Sequence, residues 1–146
     1  MTTTATGVRA VGVDLGSRRI GLAATDRGGR MAFPWGNVER SGDRTRDHRA
    51  IAQVVGDLSA TTVVVGLPLS MDGREGPAAR AARAEAGELA ELLEGDGVVV
   101  ETFDERLTTV SAEAALARAG KRGRQRRRVV DSAAAAVLLQ AWLEHR

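Results

Sequence analysis

Cysteine and tyrosine are absent from this sequence, and proline (three), phenylalanine (two), tryptophan (two) and lysine (Lys121 alone) are scarce. Without cysteine there can be no disulfide and no thiolate-bound zinc, so any metal must be held by oxygen or by His48 and His145. No stretch approaches the roughly 18 consecutive apolar residues of a membrane span, and the opening Met-Thr-Thr-Thr-Ala-Thr has neither the basic nor the apolar region of a secretion signal. A cytoplasmic protein with no membrane partner is the expectation. Four aromatic residues are too few for a broad base-stacking platform. Any affinity for nucleic acid should therefore rest on phosphates, depend on salt and read no sequence.

What is present in quantity is arginine. The formal charge is only +2, but the cations cluster: residues 121–128, KRGRQRRR, hold six of them and no acid. Such a run either lies along phosphate backbones or is a solvated loop.

At 146 residues the chain fits one domain, and the pattern along it is that of an α/β fold. VRAVGVD at 8–14 and IGLAATD at 20–26 read as a hairpin around Gly16. A third strand follows through Met31, Phe33 and Val38, and Pro34 marks it as an edge or bulge. Helical spacing covers 44–59, and TTVVVGL at 61–67 reads as a buried strand. A helix starts at Pro77 and runs to about Glu94, and VVVETF at 98–103 reads as a strand covered on both faces. Helices at about 109–119 and 130–144 complete the chain, with 121–128 as a basic loop between them and the first six residues disordered. The result is a mixed five-stranded sheet, three strands antiparallel and then two parallel, flanked by helices.

Parallel crossovers collect functional groups beyond the carboxyl ends of the strands. Asp14 ends the first strand, Asp104 and Glu105 end the last, and Asp131 falls in the first turn of the final helix. Singly, each acid can be a turn former, a helix cap or a dipole partner. Together they leave unexplained why carboxylates end otherwise apolar strands, where burial is costly unless a cation is near. The serines and threonines in SRR and LTT have no paired histidine, which argues against nucleophilic hydrolase chemistry.

DLGSRRIGLAATD at 14–26, GLPLSMDGREGPAARAAR at 66–83, DERLTT at 104–109 and VDSAAAAVLLQAWLE at 130–144 together resemble the YqgF/RuvX family of Holliday-junction resolvases, also described as pre-16S ribosomal RNA nucleases. The resemblance spans nearly the whole chain past residue 7, with four motifs in order. It implies a ribonuclease H-like fold, a family acidic triad falling on Asp14, Glu105 and Asp131, and a family basic segment falling on Lys121, Arg122, Arg124, Arg126, Arg127 and Arg128. Resolvases of the RuvC type carry a second Asp in the last helix where this sequence has Ala134, so a second metal ion would be held more loosely.

The expected chemistry is metal-dependent phosphodiester hydrolysis on precursor ribosomal RNA or branched DNA. Mg²⁺ or Mn²⁺ would be the cofactor, with Asp14 bridging two ions roughly 3.5 to 4 Å apart and Glu105 and Asp131 each completing one. Arg18, Arg80, Arg83 and Arg106 join the basic run as candidate nucleic-acid contacts. Arg106 has a salt bridge to Asp104 as its alternative. Arg80 and Arg83 sit near the start of a helix against the macrodipole preference, where an anionic ligand would explain them. Resolution of a four-way junction would need a homodimer. Two other functions fit some of these features: a nonenzymatic RNA- or DNA-binding module, and an actin-like ATPase, whose first phosphate loop DLGSRRIGLAATD resembles. Length counts against the ATPase, which binds nucleotide between two related domains, whereas 146 residues are expected to form one. His48 and His145 are assigned to structure or solvent, Trp142 to the core in register with Leu138, and Trp35 to neither.

Overall fold

A computed structural model describes residues 8–108 and 123–146, with side chains in the second stretch described from Ser132 onward. Five strands form one sheet: β1 (Ala10–Leu15), β2 (Arg19–Thr25), β3 (Ala32–Glu39), β4 (Thr62–Leu67) and β5 (Val99–Asp104). Their order is β3-β2-β1-β4-β5. β1–β2 and β2–β3 pair antiparallel, and β1–β4 and β4–β5 pair parallel, as the sequence pattern implies.

Helices α1 (Arg44–Asp57) and α2 (Pro77–Leu93) supply the two crossovers, and α3 (Gly123–Glu144) closes the chain. Side chains alternate across a strand, so each strand feeds two cores. Val11, Val13, Val63 and Val65 pack with Ile51, Val55, Leu89 and Leu93 under α1 and α2. Ala10 and Val64 pack with Ala135, Leu138, Leu139 and Trp142 of α3. Gly12, Asp14 and Gly66, being even-numbered on the same strands, belong to the α3 side. Gly12 is required there, because a Cβ would stand 2.9 Å from both the Ala135 carbonyl oxygen and the Leu139 Cβ.

Two expectations change. β5 is the outermost strand and is covered only in part: Val100 packs on the α1 and α2 core and Phe103 on the α3 core, but Val99 is 56 % exposed and Glu101 is exposed as well. The final helix begins seven residues before Val130, so Gly123–Arg128 is helix rather than loop. Arginine and glutamine are good helix formers, and nothing in GRQRRR breaks a helix, whatever its charge implies about solvent. The helix expected at 109–119 and the disorder expected at 1–6 lie outside the described residues.

Candidate active site

β1 and β4 run side by side with Gly12 opposite Val64 and Val13 opposite Val65. The next residues along this ladder are Asp14 and Gly66. On its other flank Asp14 pairs with Gly21 of β2, and Gly66 in turn pairs with Phe103 of β5. Asp14 thus stands in a sheet row with glycine on both sides, so no side chain of the row flanks it.

Glu105 follows β5 in a short 3-10 turn, Glu105–Thr108, and folds back over that row. A Cβ at Gly66 would lie 2.9 Å from Glu105 Cγ and 3.0 Å from its Cδ. The missing side chain at Gly66 is what lets the Glu105 carboxylate reach toward Asp14. Burial first, then the charges of Asp14 and Asp104, push the Glu105 carboxyl up to about 7. A carboxyl in that condition gains from a cation placed between it and its neighbours.

Asp104, adjacent in sequence, is spent differently. Arg106 Nε donates to both its oxygens, at 3.0 and 2.9 Å, and Arg106 Nη1 donates to the Met71 carbonyl at 3.3 Å. The Arg106 guanidinium holds the Asp104 carboxyl below its ordinary range. The salt bridge named as the alternative for Arg106 is therefore formed, and it ties the end of β5 to the 68–76 loop. That loop is stiffened by Ser70 Oγ donating to Asp72, by Arg74 N donating to Asp72 Oδ1 at 3.1 Å, and by Gly73 at φ +85°.

Arg83 forms a forked pair with Glu75, and Arg80 Nη1 donates to the Glu75 carbonyl. Their position at the start of α2 thus has an internal partner, and no anionic ligand is needed to explain it. Arg18 is exposed in the turn after β1. Lys121 and Arg122 lie outside the described residues, as do the side chains of Arg124, Arg126, Arg127, Arg128 and Asp131.

The backbone of Asp131 is helical, one turn before Ala135, rather than in the first turn of its helix. Ala135 and Leu139 cross Gly12, while His145 and Arg146 line a cavity with Val8 and Thr61 at the opposite end of β1 and β4. α3 therefore runs antiparallel to β1, its earlier turns heading toward the Asp14 end, and it contacts the Glu105–Thr108 turn. Among the described residues no group of three acids or histidines is gathered. Asp14 and Glu105 are the two site acids whose side chains are described, and both offer the hard oxygen donors that Mg²⁺ and Mn²⁺ prefer.

A second cluster, which no motif announces, backs the site. Glu85 of α2 is buried and takes a forked pair from Arg40, with Nη1 at 2.7 Å and Nη2 at 3.0 Å, while His48 Nε2 lies 2.7 Å away. Burial pushes the Glu85 carboxyl up, but hydrogen bonds from Arg40 and His48 outweigh it, and its pKa ends below the ordinary value. Arg40 Nε also donates to the Gly16 carbonyl at 3.0 Å, clamping the turn after Asp14. A cavity of about 250 Å³ lies between, lined by Gly16, Ser17, Arg40, Gly66, Glu85 and Glu105 among others. The available signal was periodicity, since Glu85 and His48 both fall on the apolar stripes of their helices, in register with Ala82 and Leu89 and with Ile51 and Val55. His48 is thus structural. So is His145, whose Nδ1 lies 2.7 Å from the Ala141 carbonyl and whose ring meets Phe103 edge-on.

The family model "RuvX: Holliday junction resolvase" matches residues 8–145. A protein of Anaeromyxobacter dehalogenans named "Putative pre-16S rRNA nuclease" is 50 % identical over 139 residues, covering 95 % of this chain and 98 % of its own. A protein of the same name from Mycobacteroides abscessus is 43 % identical over 138 residues, covering 94 % and 82 %. Among solved structures, RuvC of T. thermophilus in complex with a Holliday junction substrate aligns at a TM-score of 0.64 and 16 % identity, over 94 % of this chain and 96 % of that one. The yeast mitochondrial Holliday junction resolvase Ydc2 aligns at 0.55 and 8 % identity, over 93 % and 78 %. These likenesses show the fold to be the ribonuclease H-like one.

Proposed function

Since the chain belongs to the RuvX family of Holliday junction resolvases, we propose that it is a divalent-metal-dependent nuclease cutting phosphodiester bonds in structured nucleic acid at the Asp14–Glu105 edge of the sheet. The observation that carries this is Glu105 lying over Gly66 toward Asp14, with its carboxyl raised to about 7. Asp131 is the third acid of the set. The antiparallel course of α3 across Gly12, and its contact with the turn that carries Glu105, support that role.

Asp14, Glu105 and Asp131 would hold Mg²⁺ or Mn²⁺, which when bound activates a water for in-line attack and stabilises the leaving oxygen. The chain's own contribution is placement. Gly66 gives the Glu105 side chain its place beside the Asp14 strand. Arg40 holds the Gly16 carbonyl and with it the turn following Asp14. Arg106 keeps Asp104 occupied, which leaves Glu105 as the acid of this pair that faces Asp14. The cations of Lys121–Arg128 and the exposed Arg18 supply attraction for flanking phosphates, and this attraction weakens as salt rises.

The bacterial relatives and the junction-bound RuvC point to two substrates, the ends of precursor 16S ribosomal RNA and four-way DNA junctions. The decisive experiment offers both to the purified protein, with and without Mn²⁺, and maps the product ends. Metal-dependent cuts at defined positions are expected, and they should be lost in Asp14→Asn, which removes the charge while keeping the shape. Full retention of metal-dependent cleavage in that variant would sink the nuclease reading and leave a binding module.

A further inference from the structure

The four aromatic residues of the chain divide two and two. Trp142 is buried under the sheet with Phe103 packed beside it. Phe33 and Trp35 remain 41 % and 47 % exposed on β3, next to Met31 at 62 % and an exposed Pro34. In a chain this poor in aromatics, leaving half of them in water marks a contact surface.

Their arrangement is specific. β3 is an outer strand, and its register with β2 shifts so that Leu22 faces Gly36 while Ala23 faces Pro34. The unpaired extra residue of this bulge is Trp35. Bulges re-aim side chains, and here the Trp35 ring stands 6.4 Å from that of Phe33, tilted by 55°. Pro34 lacks an N–H and the bulge interrupts the ladder, so this edge is poorly suited to accept a strand from another protein chain. It is better suited to flat rings. Arg27 and Arg30 are exposed in the turn that leads into β3, and among the described residues neither is held in an ion pair. Cations beside neighbouring aromatic faces are the chemistry of unpaired nucleotides, whose bases stack while their phosphates meet guanidinium groups. Through Ala24 and Val11, Phe33 belongs to the α1 and α2 face of the sheet, opposite the face that carries Asp14, so a strand touching both would pass around the β3 edge. That path is short: Asn37 stands level with Asp14 through Gly21, and the Trp35 backbone lies two residues along, about 12 Å from that of Asp14 at ordinary sheet spacings.

We propose that Phe33 and Trp35 form a stacking platform for a single-stranded stretch of nucleic acid flanking the cleaved bond, with Arg27 and Arg30 meeting its backbone. The proposal rests on the nucleic-acid reading above and adds an unpaired strand to the substrate. Scarcity of aromatics along the chain concealed the pairing that one bulge creates.

The test is binding without cleavage. Labelled single-stranded RNA and DNA of one mixed sequence are titrated in EDTA against the wild-type protein, Phe33→Ala, Trp35→Ala and Trp35→Phe, and followed by fluorescence anisotropy. Each alanine variant should weaken binding by about 5- to 100-fold without changing the salt slope, and Trp35→Phe should keep most of the affinity. Arg30→Ala should instead lower the salt slope by about one. Phe33 and Trp35 are each more than half covered, so the alanine variants should melt a few degrees lower and Trp35→Phe and Arg30→Ala nearer the wild type, all four remaining folded at the temperature of the titration. The better-bound strand identifies the sugar the platform prefers.

Unchanged affinity in both alanine variants overturns the proposal, as does failure of the wild type to bind either strand. It is overturned equally if the alanine variants convert a dimer to a monomer in sedimentation while binding strands normally, since the patch would then contact a second copy. No cleavage is read, so an Asp14→Asn protein that still cuts would defeat the nuclease mechanism and leave this result untouched.

Discussion

Glu85 and Glu105 line the same cavity of about 250 Å³ and are both shielded from water, yet their carboxyls move in opposite directions. Glu85 is surrounded by donors: Arg40 grips both its oxygens and His48 adds a third contact. Glu105 is surrounded by acids, Asp14 and Asp104, and among the described residues no arginine or histidine pairs with it. Burial opposes ionisation in both. At Glu85 the protein supplies the compensating charge from within, which makes the cluster a brace. At Glu105 none of the described residues does, which is the condition that the proposed metal ion would relieve. Burial of an acid therefore says little about function until its partners are counted.

The contrast can be broken most forcefully by exchanging the roles through substitution. Glu105→Gln should lower metal-dependent cleavage by at least about a hundredfold, the scale of losing one electrostatic contributor to a reaction, while circular dichroism shows the fold intact. A variant that cleaves normally would show that Glu105 is no more functional than Glu85. Glu85→Ala should do the reverse. It strands Arg40 and the buried His48, and urea denaturation should report a loss of about 3–5 kcal/mol, as expected when one partner of a buried pair is removed. Cleavage per folded molecule should fall far less than in Glu105→Gln.

Gly66→Ala sharpens the comparison. Its Cβ would meet Glu105 Cγ at 2.9 Å and displace the carboxylate from its place beside the Asp14 strand. Overpacking of this kind costs about 1–3 kcal/mol, and the displacement should reduce cleavage at limiting Mn²⁺ more than at saturating Mn²⁺. Equal loss at both concentrations would mean that the glycine serves packing alone.

The smallest effect is a pH dependence in metal-free protein. A folded-state pKa of about 7, raised from 4.5, means that the folded chain holds this proton more tightly than the unfolded chain. The corresponding stability is fully present below pH 4.5 and is lost as pH rises through 7. In EDTA at pH 8, Glu105→Gln should therefore be more stable than wild type by about 1 kcal/mol, discounted for partial solvent screening, and melt about 2–4 °C higher. At pH 4, below the unfolded-state value of 4.5, the difference should vanish. A constant difference across that range would mean that Glu105 is not held in the acidic surroundings described.

Much of the fold was legible in the sequence because each strand repeats one physical rule. β4 is apolar throughout since both its faces are covered, and β1 with β2 reads as a hairpin since Gly16 permits the turn that a Cβ, meeting the Arg19 carbonyl oxygen, would block. Pro34 announced both the edge and the bulge. The rest depended on neighbours. VVVETF looks buried in sequence, but β5 is last in the sheet and has no strand beyond it. GRQRRR looks like a loop by charge, though its residues are compatible with helix.

The sequence by itself determined the α/β order, the family, and the three acids and the basic run that the resemblance assigns to a site, because these follow from local periodicity and from motifs contiguous in the chain. Only the tertiary structure decided which carboxylate is braced by cations and which is set among other acids, and which two aromatics stand together at an edge. Charge compensation and ring proximity join residues tens of positions apart, such as Arg40 with Glu85, and distances across a folded core are not written in any local pattern.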